Sequence, residues 1–401
     1  MTPWGILRGV RPGKIVARLL DAGWEKLDIL KILSEKYGIE QDRAQILTDI
    51  SLAQHTYFQE LARQDGWEKN VSIYIGIPYC LSKCLYCSFP SAILPSKGEE
   101  LAIFLKTLKM DIEAAARFVA ANHLKVHSLY LGGGTPTSLN SEKFAQLLKV
   151  TTENFRHYQE FTVEAGRPDS IDTAKAAAMR QFGVTRVSVN PQTFNEATLA
   201  RIGRHHTPAQ TVEAFQKIRR SGIPVINMDV IAALPGETAQ DMADTMANIE
   251  KLAPENVTVH TLAVKRGSLL KDFLQETDNP AQTLNLPDAG TVREMLAVAA
   301  SSAAKMQLAP YYLYRQKYSA GNFENTGYAQ TGTACLYNMQ IIAERQTVIG
   351  IGPSAATKVV DPNDKSLVSC YNPKDIPTYL KNLPQFLQRR ETLLAKLYKE
   401  K

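Results

Sequence analysis

The sequence contains no long hydrophobic run and few cysteines. No apolar segment approaches the roughly 20 residues that a membrane-spanning helix requires. The N-terminal segment MTPWGILRGVRPGK has no apolar core of the kind found in secretory signal peptides. The five cysteines are an odd number in a chain of 401 residues, which argues against a disulfide framework. These absences predict a protein of the reducing cytoplasm.

The chain also lacks a strong excess of charge of one sign. Its formal net charge is +6, and its Lys and Arg residues are spread along the sequence. Without a basic cluster, nucleic acid is not the expected partner, whereas an acidic small molecule is compatible with this balance. A hydrophobic content of 44% and a charged content of 21% are those of an ordinary globular protein.

Three of the cysteines lie in one short loop, IPYCLSKCLYCSFP, at positions 80, 84 and 87. A structural zinc site would require a fourth nearby ligand, but the sequence has no second CxxC and the loop has no histidine. Covalent haem attachment would require CxxCH, but Ser88 follows Cys87. The CxxxCxxC spacing therefore predicts that Cys80, Cys84 and Cys87 bind a [4Fe–4S] cluster whose fourth iron is open for chemistry.

From about residue 71 the sequence alternates short β-branched runs with longer amphipathic segments, which predicts an α/β fold with a parallel sheet. The predicted strands are 71–77, 125–132, 160–166, 184–190, 223–231 and 256–264. The predicted helices lie near 97–121, 141–156, 171–182, 208–221 and 238–252.

The pattern also divides the chain into three parts. Residues 1–70 carry apolar residues at helical spacing and form a helical N-terminal segment. Residues 71–265 form the α/β core. Residues 266–401, where the alternation stops and aromatic residues, Gly and Asn are dense, form a C-terminal extension expected to pack beside the mouth of the core.

Polar motifs follow three successive predicted strands. The cysteine loop follows the first strand, GGGTPT follows the second, and Glu164 ends the third. Glycines without a Cβ allow the backbone to approach a ligand closely, although a lone GGG is also an ordinary strand-to-helix turn. The carboxyl ends of parallel strands meet at one edge of a sheet, so these motifs are expected to form one ligand site.

The segments around these motifs carry a family resemblance. They are YLGGGTPT, VEAGRPD, RVSVNPQTFN, LARIGRHHT and INMDVIAALPGET. With the cysteine loop and its Tyr86, they resemble the radical S-adenosylmethionine (SAM) superfamily, and within it the oxygen-independent coproporphyrinogen III oxidase family. The strings PWGILRGVRPGK, PYYLYRQK and GNFENTGYA resemble its HemZ-type coproporphyrinogen dehydrogenase branch. The resemblance covers nearly the whole chain.

The resemblance implies a partial (β/α)6 barrel with an α+β C-terminal extension, and it implies two cofactors. The three cysteines would bind the [4Fe–4S] cluster, and S-adenosylmethionine would chelate the open iron through its amino and carboxylate groups. For Glu164, Gln192, Arg204 and Asp229, a structural salt bridge or cap is the alternative interpretation. The positions that match family residues around S-adenosylmethionine are Tyr74, Gly133, Gly134, Thr135, Glu164, Gln192, Arg204 and Asp229.

The implied reaction is reductive cleavage of S-adenosylmethionine to a 5′-deoxyadenosyl radical. This radical abstracts hydrogen from a propionate of coproporphyrinogen III, and loss of CO₂ and one electron leaves a vinyl group. The implied partners are this tetrapyrrole and an electron donor such as flavodoxin or ferredoxin. Arg315 and Lys317 could bind the substrate carboxylates beside Tyr311, Tyr312 and Tyr314, although an aromatic core strand with a basic edge fits the same pattern.

Other functions remain open from the sequence. Near relatives share the cluster motifs but carry haem as chaperones, and a radical reaction on a different substrate fits the same motifs. Phe89 stands where better-known relatives have a further cysteine, so the loop is expected to supply radical initiation only. Cys335 and Cys370 are interpreted as small packed residues, and His205 and His206 as structural residues at a helix end.

Overall fold

The computed structural model describes residues 2–96, 98–276 and 284–398. The N-terminal segment is helical as predicted, and its apolar residues form a small core with Leu313 from a later strand. Trp4 and Leu33 are fully buried in this core. The three helices are α1 (Gly13–Asp21), α2 (Lys26–Glu35) and α3 (Gln41–Ala62).

The predicted alternation of strands and helices is confirmed. The six core strands are parallel and adjacent in the order β1-β4-β5-β6-β7-β8. A two-stranded ribbon, β2 with β3, follows β1 and contains the first cysteine of the loop. The elements are β1 (Asn70–Ile77), β2 (Tyr79–Cys80), β3 (Ala92–Ile93), α4 (Gly98–Ala121), β4 (Lys125–Gly133), α5 (Ser141–Asn154), β5 (Glu160–Glu164), α6 (Thr173–Gln181), β6 (Arg186–Ser188), α7 (Glu196–Arg201), α8 (Pro208–Arg220), β7 (Val225–Ala232), α9 (Ala239–Leu252) and β8 (Asn256–Thr261).

The crossover helices begin where the sequence supplies side-chain caps. Asn140 caps α5, Asp172 caps α6 and Asn195 caps α7, each by accepting a hydrogen bond from a backbone amide of the first turn. Thr207 and Thr238 begin α8 and α9 with reciprocal capping boxes. These caps fix where each helix leaves the loop that follows a strand, and those loops carry the polar motifs.

Strands from the C-terminal part extend the same sheet at both edges. Beyond β8 the sheet continues through β10 and β9, and beyond β1 through β11, β12 and β13, so that it contains 11 strands. β11 is parallel to β1, and the remaining added pairs are antiparallel. The elements are α10 (Leu269–Glu276), α11 (Ala289–Lys305), β9 (Ala309–Arg315), β10 (Glu324–Ala329), α12 (Leu336–Ala343), β11 (Thr347–Ile351), β12 (Ala356–Val360), β13 (Leu367–Tyr371) and α13 (Ile376–Tyr398).

The last helix is attached to the core by a buried ion pair. Arg390 on α13 donates to Asp111 on α4 at 2.6 Å, and both residues are almost fully buried. Asp111 also accepts from the hydroxyl of Tyr379 at 2.7 Å and from the backbone amide of Gly352 at 3.0 Å. The network therefore fixes the turn after β11 against helix α4. Among the described residues, no helix is long and apolar enough to cross a membrane.

Candidate functional site

One cavity of about 560 Å³ is lined by the predicted cluster and cofactor residues. It extends from the cysteine loop along the inner face of the core strands to helix α12. The strands present polar side chains to this face at every second residue, as Thr162 and Glu164 do on β5. The three loop cysteines and all eight positions matched to S-adenosylmethionine line this cavity.

Backbone hydrogen bonds hold the cysteine loop at its first cysteine and at its middle. Cys80 pairs with Ile93 in the ribbon of β2 and β3, and the amide of Cys87 donates to the carbonyl of Cys84 at 3.1 Å. At Leu85, the amide donates to Ile202 O at 2.9 Å, and the carbonyl accepts from the amide of Leu270 at 2.8 Å. These backbone hydrogen bonds fix the conformation of the loop, and they do not involve the thiols. Burial raises the pKa of the Cys80 and Cys87 thiols.

The glycine turn packs directly against the first cysteine. The amide of Gly134 donates to Ile77 O at 2.6 Å, and the hydroxyl of Thr135 lies 3.3 Å from Cys80 Sγ. A Cβ at Gly134 would meet Tyr79 O at 2.4 Å and Cys80 Sγ at 3.1 Å, so no side chain fits there. The predicted adjacency of the two motifs follows from the parallel pairing of β1 with β4.

Two arginines lie beside the loop. Arg204 donates to Gly166 O at 2.8 Å and to Asn190 O at 2.9 Å, while its Nε has no hydrogen-bond partner. Arg167, which lies within VEAGRPD but was not among the predicted site residues, donates to Asp169 through two nitrogens and lies 3.7 Å from Cys84 Sγ. Their guanidinium groups place positive charge beside thiols that would become thiolates on binding iron.

Carboxylates occupy the centre of the cavity wall. Burial raises the pKa of Glu164 to about 7, and the charge of Asp229 acts in the same direction. Tyr130 donates a hydrogen bond to Glu164. Burial opposes ionisation of Asp229, but His260 at 3.5 Å and Asn227, which donates at 2.7 Å, hold the pKa of Asp229 below its usual value. His260 was not among the predicted site residues.

Gln192 is held in an unusual backbone conformation. Its φ is +68°, in the left-handed region that residues other than glycine rarely adopt. Its amide and carbonyl bond to Asp229 O and to the amide of Ile231, each at 3.0 Å. Its side-chain Oε1 is buried without a hydrogen-bond partner. A strained residue with a free acceptor in a cavity is expected where a ligand supplies the missing donor.

Besides Tyr86 of the loop, six tyrosines line the cavity. Tyr74 and Tyr337 each stack on Tyr130, with ring centroids 6.1 Å and 4.3 Å away. Burial raises the pKa of Tyr314 to about 12 and the pKa of the other five as well. These side chains are therefore neutral phenols that present flat aromatic surfaces and hydroxyl groups.

A buried carboxylate holds the start of α12 against the start of β5. Glu160, at the start of β5, accepts from the amides of Leu336 and Tyr337 at 2.9 and 3.1 Å. It also accepts from the thiol of Cys335 at 3.3 Å, and Arg186 Nε lies 3.4 Å from its second oxygen. Cys335 is almost completely buried and lines the cavity, whereas Cys370 is buried on β13.

The structure does not bring Arg315 and Lys317 into the lining of this cavity. Arg315 is buried, donates to Leu7 O at 2.6 Å and lies over the ring of Trp4 at 5.3 Å. Lys317 is exposed in the turn that follows β9. Phe89 lines the mouth and is 70% exposed.

The residues of the site fit both predicted groups, the [4Fe–4S] cluster and S-adenosylmethionine. The three loop cysteines line one wall, and Gln192 and Arg204 retain buried polar atoms without partners. Within the described ranges, no three Cys, His, Asp or Glu side chains converge on a single metal ion. A cubane cluster has a different requirement, since each thiolate binds a different iron.

The buried Glu164 predicts a pH-dependent stability. Its pKa of about 7 exceeds the roughly 4.3 of an unfolded glutamate, so the folded protein binds more protons between these values. The free energy of unfolding contributed by Glu164 therefore falls as pH rises through this window. As the pH rises from 5 to 8, the free energy of unfolding of Glu164→Gln is expected to increase by roughly 2–3 kcal/mol relative to that of the wild type.

Urea denaturation at several pH values measures this difference. Glu250→Gln, at an exposed position at the end of α9, is the matched control and should follow the wild-type pH profile. Parallel profiles for Glu164→Gln and the wild type would refute the raised pKa.

Comparison with known proteins identifies the class. A family model described as the radical SAM superfamily matches residues 74–249. The oxygen-independent coproporphyrinogen-III oxidase-like protein HemZ of Bacillus subtilis is 35% identical over 99% of this chain and 78% of its own length. The heme chaperone HemW of Haemophilus influenzae is 27% identical over 67% of this chain and 65% of that protein.

A solved structure shows the same fold. Coproporphyrinogen III oxidase (HemN) from Escherichia coli, described as a radical SAM enzyme, aligns with a TM-score of 0.62 and 19% identity over 85% of this chain and 78% of that chain. A parallel α/β sheet with a three-cysteine loop beyond its first strand, together with the family match, defines a radical SAM protein. The chain belongs to the family of HemZ-type oxygen-independent coproporphyrinogen III oxidase-like proteins. Radical SAM proteins use a [4Fe–4S] cluster and S-adenosylmethionine, which confirms the predicted cofactors.

Proposed function

We propose that this protein is an oxidoreductase that converts propionate side chains of coproporphyrinogen III to vinyl groups without oxygen. The main support is the HemZ relative, whose 35% identity extends over 99% of this chain and so includes the segments beyond the radical SAM core. The cavity supports the same function because it continues from the cysteine loop into a space lined by tyrosines and by residues of the C-terminal part.

Different residues of the cavity would have different roles in this reaction. Cys80, Cys84 and Cys87 would hold the cluster, and Arg167 and Arg204 would place positive charge beside it. When bound, the cluster and S-adenosylmethionine would supply the one-electron chemistry for removal of a hydrogen atom from the substrate. Loss of CO₂ and of one electron to an acceptor then converts the propionate to a vinyl group.

The remaining residues would orient S-adenosylmethionine. The carboxylates of Glu164 and Asp229 can accept hydrogen bonds from its amino and ribose hydroxyl groups, and Gln192 Oε1 can accept another. The phenol of Tyr130 keeps Glu164 in position through the hydrogen bond that it donates. Tyr74, Gly133, Gly134 and Thr135 complete this set. Together these groups would hold the reacting atoms in place and exclude water from them.

The neutral tyrosines would accommodate the tetrapyrrole. Their aromatic faces offer apolar contact to a flat macrocycle, and their hydroxyls can bond to its polar groups. Because Phe89 has no ionisable group, this position would contribute apolar contact and no proton transfer. Electrons would come from a one-electron donor such as flavodoxin or ferredoxin.

A haem chaperone is the second candidate, because the heme chaperone HemW of Haemophilus influenzae is also a relative. One experiment separates the two functions. The protein is reconstituted with iron and sulfide under anaerobic conditions, reduced, and given S-adenosylmethionine and coproporphyrinogen III. The proposal predicts 5′-deoxyadenosine, CO₂ and a vinyl product. Formation of 5′-deoxyadenosine without CO₂ would refute the assignment of coproporphyrinogen III as the substrate. Tight haem binding without turnover would favour the function of a haem chaperone.

A further inference from the structure

A buried arginine donates hydrogen bonds directly to the cysteine loop. Nη1 of Arg167 donates to Ser82 Oγ at 2.8 Å and to Cys84 Sγ at 3.7 Å. Arg167 and Cys84 are both buried, so water screens the charge of the guanidinium only weakly at the sulfur. Within the part of the chain that the structure describes, no other cationic side chain donates to a sulfur of the three loop cysteines.

The pairing of Arg167 with Asp169 fixes which nitrogen faces the loop. Nε and Nη2 of the arginine donate to the two oxygens of Asp169 at 3.0 and 2.9 Å. Nη1 remains for the loop, and its two hydrogens match the two acceptors, Ser82 and Cys84. The amide of Ser170 donates to Arg167 O at 2.9 Å and so holds the backbone of the pair. The carboxylate of Asp169 therefore lies on the far side of the guanidinium from the sulfur.

A fixed cation beside a cluster thiolate affects the free energy of reduction. The core and its three thiolates carry net negative charge, and one-electron reduction adds to it. A positive charge held beside one sulfur therefore stabilises the reduced form more than the oxidised form. Hydrogen bonds to cluster sulfurs act in the same direction, because they remove negative charge from the sulfur.

We propose that Arg167, oriented by Asp169, raises the reduction potential of the cluster through its hydrogen bond to the sulfur of Cys84. The inference rests on the proposed binding of the cluster by the three loop cysteines. The step that it favours is the transfer of one electron from the donor to the cluster, in which the donor is oxidised and no covalent bond forms or breaks. Arg167 acts through Cys84 and is therefore a positioning residue.

A redox titration of the reconstituted full-length protein without S-adenosylmethionine, followed by electron paramagnetic resonance of the reduced cluster, measures the potential. Arg167→Gln should lower the equilibrium constant for one-electron reduction about tenfold, which is about 59 mV. Arg167→Lys keeps the charge but cannot form the bidentate pair, and it should lower the constant only about threefold. Arg220→Gln makes the same change of net charge at the exposed end of α8 and should leave the constant within about twofold of the wild type.

The sign of the shift separates this role from a merely structural one. A loosened loop would admit water to the cluster, and water stabilises the more highly charged reduced form, so the potential would rise. A rise in Arg167→Gln, or a constant within about twofold of the wild type, would therefore refute the inference. Ser82→Ala removes the loop's hydrogen bond to Nη1 but keeps the guanidinium beside the sulfur, and its constant should stay within about twofold.

Iron analysis and circular dichroism show whether each variant is loaded and folded. If Arg167→Gln binds no cluster, Arg167→Lys becomes the test, and a potential equal to that of the wild type would refute the inference. Cleavage of S-adenosylmethionine and vinyl formation are measured separately. A wild-type protein that assembles no cluster would refute both the proposed function and this inference, whereas a loaded cluster with an unchanged potential in the arginine variants would refute this inference alone.

Discussion

Replacing Cys87 by serine is expected to abolish cluster binding and cleavage of S-adenosylmethionine. A serine hydroxyl is a much poorer iron ligand than a thiolate, and two remaining cysteines are insufficient to hold a cubane cluster. Iron and sulfide content should fall from about four of each per chain to near zero, and 5′-deoxyadenosine should fall to background. Elemental analysis and chromatography of the product measure the two effects.

The fold should survive this substitution because the cysteine loop is tethered by its backbone. The bonds of Leu85 to Ile202 and to Leu270 do not involve the thiols. Cys370→Ser, at a buried position on β13, is the matched control and should retain iron and activity. A Cys87→Ser protein with a full iron complement would refute the assignment of Cys87 as a ligand.

Replacing Arg390 by methionine is expected to destabilise the protein by about 3–5 kcal/mol, because the Asp111 carboxylate would remain buried without its partner. Arg390 also donates to Gly350 O at 3.1 Å, so strand β11 would lose this bond where it pairs with β1. The cysteine loop begins just after β1, so reduced iron incorporation is expected with the loss of stability.

Urea denaturation of the single and double variants tests the origin of this effect. Removing both charges in Arg390→Met with Asp111→Leu should recover much of the stability, since no uncompensated charge remains. Lys109→Met breaks an exposed pair with Glu113 on the same helix and should change the free energy of unfolding by less than about 1 kcal/mol. Equal effects of Arg390→Met and Lys109→Met would contradict a structural role for the buried pair.

Much of the fold was predictable from local patterns. The six core strands and their five predicted crossover helices were recognised because a parallel sheet covered by helices produces β-branched runs alternating with amphipathic segments. Helix α7 was missed because its six residues are too few for a helical period to show. Helix α13 was missed as well, although its 23 residues are ample, because Pro384 lies within it.

Site residues were predictable where one segment carries the whole signal. The cysteine loop and the glycine turn are contiguous motifs, and the structure brings them into contact. His260 was not selected because an isolated histidine on a strand has no local signal, and its contact with Asp229 arises from the pairing of β7 with β8. Arg315 looked like a substrate ligand because it follows three tyrosines, but the N-terminal segment covers it with Trp4 and Leu7.

The sequence by itself determined the cofactor chemistry, since thiolate spacing within a single loop decides which metal centre the loop can hold. It also determined the order of strands and helices, because each element depends on the periodicity of its own residues. Only the tertiary structure decided which side chains share the cavity. Tyr314 and His260 are 54 positions apart in the sequence and become neighbours because β10 and β9 add to the edge of the sheet beside β8. Contacts of this kind depend on strand pairing across the whole chain, and no local pattern records them.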